Sequence, residues 1–124
     1  MADTDLRVIN KAIELMKHTY QLTLNCNRYP KKYRHSLVDR MQLLSMDIYE
    51  FLLEANRINN VTDKHLRCET ITKAITGCDK LLQYIELSMQ LQLLNDKSAA
   101  YWSKMVCDVK HMALAWRKSE RVKK

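Results

Sequence analysis

The sequence predicts an all-α protein, an antiparallel up-down-up-down four-helix bundle. Three observations predict it. The 124 residues include one glycine, Gly77, and one proline, Pro30, whereas a β-sandwich or barrel needs many turns built on those residues. Apolar residues recur every three and four positions over four long stretches, the period of a helix with a buried face. The polar breaks between the stretches are short, which makes consecutive helices antiparallel neighbours. With 47% apolar and 28% charged residues, the composition is that of a single globular domain spanning 1–124.

Helix 1 is predicted over 4–26, with Leu6, Ile9, Ile13, Met16, Tyr20 and Leu24 on the core face and Asp3 or Thr4 as cap. Helix 2 is predicted over 36–57, capped by Ser36, with Leu37, Met41, Leu44, Ile48, Phe51/Leu52 and Ala55 facing inward. Helix 3 is predicted over 64–94, capped by Asp63. Gly77 lies inside it, where glycine costs ~1 kcal/mol relative to alanine; flanked by Thr76 and Cys78, it reads as a notch for a neighbouring helix, with a bend as the alternative. Helix 4 is predicted over 99–118, capped by Ser98, with Tyr101, Trp102, Met105, Val109, Met112 and Trp116 on its core face and a basic tail behind it.

One core does not use all of this apolar surface. Val8, Leu15 and Leu22 repeat every seven residues on the side of helix 1 opposite its expected core face, and Met46 and Leu53 echo them on helix 2. Over 81–94 the apolar residues sweep roughly 260° of helix 3 at ~100° per residue. Contiguous exposed apolar surface marks association sites. Val8, Leu15 and Leu22, with Leu87, Leu91 and Leu94, are therefore the expected contacts of a homo-oligomer or of a docked protein partner.

The formal charge is +7 and is unevenly spread. Residues 28–40 carry Arg28, Lys31, Lys32, Arg34 and Arg40 against Asp39, and 104–124 carry seven basic residues against Asp108 and Glu120. On helix 4, Lys110, Arg117, Arg121 and Lys124 fall within roughly 60° of one another. Such a stripe can track a phosphate backbone and gain affinity by counterion release. The loop 28–35 interleaves its cations with Tyr29 and Tyr33, a composition that can hold phosphates and stack on unpaired bases. Arg28, Lys31, Lys32, Arg34, Lys110, Arg117, Lys118 and Arg121 are the expected RNA or DNA contacts. Cations at a helix C-terminus are also favoured by the helix dipole without any ligand.

No metal, cofactor or catalytic group is expected. His65 with Cys68 and Cys107 with His111 have ligand spacing, but antiparallel helices 3 and 4 put the pairs over 20 Å apart at ~1.5 Å per residue. Asp47, Glu50 and Glu54 lack the Glu-x-x-His partners of carboxylate metal bundles. The four cysteines form no C-x-x-C pair and read as free thiols. The acidic start Met1-Ala2-Asp3-Thr4-Asp5 has no signal-peptide core. No stretch nears the ~20 apolar residues that span a bilayer, so a cytoplasmic protein with no membrane partner is expected.

Several short motifs, in order and spacing, resemble one family. They are Tyr29-Pro30-Lys31-Lys32-x-Arg34-His35-Ser36-Leu37, Leu52-Leu53-Glu54-Ala55-Asn56, Asp79-Lys80-Leu81, and Met112-Ala113-Leu114-Ala115-Trp116-Arg117-Lys118-Ser119. Together they are similar to the accessory variability determinant (Avd) proteins of diversity-generating retroelements, and to relatives encoded in intervening sequences of bacterial ribosomal RNA genes. The resemblance implies a basic homopentamer of four-helix bundles. It also implies a non-catalytic role, binding nucleic acid and a reverse transcriptase to support mutagenic copying of a template RNA. Leu82 and Glu86 stand where the family often carries arginines on helix 3, and Leu114-Ala115-Trp116 stands for the usual Gly-Gly-Trp ending. The intervening-sequence relatives imply the alternative, a stand-alone oligomeric interaction bundle with no nucleic-acid role.

Overall fold

The computed structural model describes residues 3–122, with side chains from Arg7 onward. The caps expected at Asp3 or Thr4, the core role of Leu6, and Lys123 and Lys124 lie outside the described residues or side chains. Four α-helices account for most of the chain: α1 (Asp3–Thr23), α2 (Asp39–Arg57), α3 (Lys64–Gln90) and α4 (Asp96–Val122). Each packs on its sequence neighbour and α1 closes on α4, which is the up-down-up-down arrangement.

Five helix boundaries differ from expectation. Helix α1 stops at Thr23, and helical geometry resumes as a 3₁₀ turn (Lys31–Tyr33) and a π turn (Arg34–Val38) leading directly into α2. Ser36 therefore sits inside helical structure and caps nothing. Helix α3 stops at Gln90, not Leu94. Gln92 takes φ 63°, and the Leu93 N–H donates to Ser88 O and the Gln92 N–H to Met89 O, both at 2.9 Å. This is the Schellman closure, with glutamine where glycine is usual. Helix α4 starts at Asp96 because Asn95, not Ser98, caps it: Asn95 Oδ1 accepts the Ser98 N–H at 2.7 Å. Its last turn continues to Val122.

The face assignment of α1 holds at Ile9, which is buried, but is otherwise reversed. Val8, Ala12 and Leu15 are fully buried and Leu22 packs against the core, while Ile13 and Leu24 are exposed. The reason is polar. Thr19 and Thr23 are buried on the inner face, and each hydroxyl donates to the carbonyl four residues back, Leu15 O at 2.8 Å and Thr19 O at 2.7 Å. The Trp102 indole N–H then donates to Thr19 Oγ1 at 3.1 Å, and Gln42 Nε2 to Thr23 Oγ1 at 3.0 Å. Bonded hydroxyls are cheap to bury, so two threonines hold α1 to both of its neighbours. Val8 and Leu15 are thus core residues and not subunit contacts. Leu94 is likewise corrected, since the turn after α3 folds it into the core. Tyr101, expected inside, is 59% exposed.

The expected faces of α2 and α4 otherwise form the core. Met41, Ile48 and Leu52 meet Ile71, Ala74, Leu81 and Ile85 of α3, with Trp102, Val106, Val109 and Trp116 from α4. Gly77 is the notch: a Cβ built there would lie 2.9 Å from Ile48 Cγ1, so α2 approaches α3 closely at that point.

Candidate nucleic-acid interface

The eight cations singled out above fall into two groups. At one end of the bundle the peptide after α1 carries Arg28, Lys31, Lys32 and Arg34. Pro30 sets its direction with φ −55° and ψ 155°, and its carbonyl accepts the Tyr33 N–H at 3.0 Å. Lys31, Lys32 and Arg34 are exposed along the 3₁₀ and π turns. Lys32 Nζ sits 5.4 Å from the Tyr33 ring centroid. Arg28 is different: it is half-buried, and its Nη1 donates to Ser98 Oγ at 2.9 Å. It ties the loop to the start of α4.

The second group follows α4 to the opposite end. Lys110 Nζ pairs with Asp79 Oδ1 of α3 at 2.7 Å, and this bond raises the lysine pKa. Arg117 is half-buried and donates through Nη1 to Thr72 Oγ1 at 3.0 Å. Lys118 and Arg121 are exposed. Arg121 borders an open groove of about 490 Å³ with Lys64, His65, Cys68, Glu69 and Thr72. From Ser98 to Arg117 the helix rises ~28 Å, so a single bundle keeps the two groups apart. Three of the eight cations, Arg28, Lys110 and Arg117, serve helix-to-helix or loop-to-helix bonds.

The tyrosines of the basic loop are drawn inward. Tyr29 is 3% exposed, and burial pushes its hydroxyl up to about 12. Tyr33 packs partly on the core. The rings expected to stack on bases are therefore largely occupied in holding the loop.

The excess apolar surface survives at other positions. Ile13, Met16 and Tyr20 of α1, Leu24 just after it and Met46 of α2 line an open groove of about 360 Å³. The Tyr20 hydroxyl reaches Met46 Sδ at 3.1 Å. Leu87 of α3 and Leu91 at its C-cap are exposed.

The four cysteines are free, with Cys68 and Cys78 buried, Cys107 half-buried and Cys26 exposed. Burial is the main cause that pushes the Cys78 thiol up to about 12. Among the described residues no three His, Cys, Asp or Glu side chains gather as a metal site. No described helix is long and apolar enough to cross a membrane.

Sequence reasoning missed a charged pair inside the fold. Arg67 Nε lies 3.1 Å from Glu120 Oε1, and both side chains are buried. Glu120 had the look of a solvated acid in a basic tail; its one signal is the position four residues after Trp116, whose indole N–H donates to Glu120 Oε1 at 3.2 Å. Comparison with protein-family models, curated proteins and solved structures gave no match.

Proposed function

We propose that this bundle is a non-catalytic, self-associating nucleic-acid-binding accessory protein, acting beside a reverse transcriptase as the accessory variability determinant proteins do. The observation that carries the nucleic-acid part is the exposure of Lys31, Lys32 and Arg34 on consecutive tight turns at one end of the bundle. Three cations that close together can follow a phosphate backbone, and their attraction adds by counterion release. Lys118 and Arg121 add a second exposed basic surface at the far end. Side-by-side copies, a homopentamer on the family pattern, would multiply both surfaces into rings and add weak contacts through avidity. The polymerase partner rests on the motif resemblance alone.

Self-association is supported by the apolar groove of Ile13, Met16, Tyr20, Leu24 and Met46 and by Leu87 and Leu91 at the end of α3. The same apolar surfaces favour a second reading, a bundle that docks protein partners and never meets nucleic acid. A pull-down of the reverse transcriptase encoded nearest the gene, with and without nuclease, separates the two. Capture of polymerase together with RNA supports the first reading. Capture of other proteins that is indifferent to nuclease, with no RNA retained, supports the second.

A further inference from the structure

Beside the basic turns, at the α2–α3 seam, lies an open cleft of about 390 Å³ lined by His35, Ser36, Asp39, Arg40, Leu43 and Tyr84. The π turn builds one wall. Its wide bond, from the Asp39 N–H to Arg34 O, belongs to a geometry that recurs at functional sites. It carries His35, Ser36 and Asp39 past the cleft on consecutive turns, with His35 Nδ1 3.4 Å from Asp39 Oδ2. Tyr84 of α3 also lines it, half-buried with part of its ring against the core and part left toward the cleft, and Leu43, 50% exposed, adds apolar surface. Arg40 is exposed on the same seam.

We propose that this cleft receives an unpaired nucleobase of the strand whose phosphates lie on Lys31, Lys32 and Arg34; the inference rests on the nucleic-acid reading above. The parts match the chemistry of a single-stranded site, which joins a cationic track to an aromatic or apolar surface for the base. Leu43 and the Tyr84 ring take the base face. The Asp39 carboxylate and Ser36 hydroxyl face its polar edge, where a carboxylate accepts from exocyclic amino groups. Arg40 takes the adjoining phosphate. In a duplex both faces of a base are covered by its neighbours, so the cleft selects single strands. An acidic peptide would use the cations but would leave Leu43 and Tyr84 without a partner.

The test is fluorescence anisotropy at low salt with a fluorescein-labelled single-stranded oligoadenylate and a blunt RNA duplex of equal length. The expected result is that Tyr84→Leu and Leu43→Ser each weaken single-strand binding about fivefold or more, the size of one lost base stack. Duplex binding stays unchanged, and Tyr84→Phe binds as the unaltered protein does. Leu43 is surface-exposed and serine adds no charge to the surface, so L43S keeps the test valid even if Y84L unfolds, which circular dichroism reports. Equal losses on duplex and single strand, or no loss on either, overturn the cleft while leaving the nucleic-acid reading in place. Failure of the unaltered protein to bind either RNA overturns both. Oligoglutamate bound with the same dependence on Tyr84 overturns the cleft in favour of a peptide site.

Discussion

Arg67, in the first turn of α3, and Glu120, near the end of α4, form an ion pair inside the bundle at 3.1 Å. The guanidinium also donates through Nη1 to Ile58 O at 3.0 Å and lies 5.1 Å from the Trp116 ring centroid. This arrangement locks the α2–α3 turn, the start of α3 and the end of α4 together. A buried pair gains little over apolar residues of like size, but losing one partner strands the other charge. Glu120→Ala or Arg67→Ala should each cost about 3–5 kcal/mol in urea unfolding. The double variant Arg67→Met/Glu120→Leu should cost clearly less than the sum of the two single replacements. Additive losses would show that the pair does not act as a unit.

Gln92 holds a left-handed conformation at φ 63°, which disfavours a residue with a Cβ by about 1 kcal/mol. Glycine relieves that strain but loosens the unfolded chain. Gln92→Gly should therefore stabilise the fold by up to ~1 kcal/mol. Thermal unfolding by circular dichroism checks this; a lower melting temperature would mean that the Gln92 side chain contributes more than its backbone costs.

Gly77 is set by Ile48. Alanine would gain about 1 kcal/mol of helix propensity, but its Cβ would meet Ile48 Cγ1 at 2.9 Å, a branch near the backbone of a fully buried side chain. Gly77→Ala should destabilise by about 1–2 kcal/mol net, as overpacking does. In an Ile48→Ala background the same change should be neutral or favourable.

His18 packs edge-on to Tyr101 at 5.2 Å between ring centroids, and its pKa lies below 6.5, first through burial and then through the Arg28 charge. The unfolded chain thus binds the proton more tightly than the fold does. The contribution of His18 is fully present above its unfolded value and is lost as pH falls from there toward the folded one. The urea midpoint should fall with decreasing pH across that window, and His18→Gln should reduce the slope. An unchanged slope would assign the dependence to other groups.

The architecture was legible because turn residues are scarce and the helical period is strong in α2 and α4. The inner face of α1 was not legible. Ile13, Met16, Tyr20 and Leu24 form the more apolar stripe, yet the face with Thr19 and Thr23 is buried, because back-bonded hydroxyls and the Trp102 indole satisfy each other. The end of α3 was hidden because Gln92 occupies a position usually marked by glycine. At the candidate interface, Lys31, Lys32 and Arg34 are exposed, whereas the inward packing of Tyr29 depends on which helices become neighbours.

The most direct test of the central claim is the salt dependence of single-stranded RNA binding by the unaltered protein and by the triple variant Lys31→Ala/Lys32→Ala/Arg34→Ala. Each phosphate contact contributes about −0.7 to the slope of log affinity against log salt on a single strand. The account predicts a steep slope for the unaltered protein, and for the variant a weaker affinity with a slope shallower by about 2 units, at unchanged helicity and assembly state. An unchanged slope, or the absence of salt-sensitive binding by the unaltered protein, would contradict it.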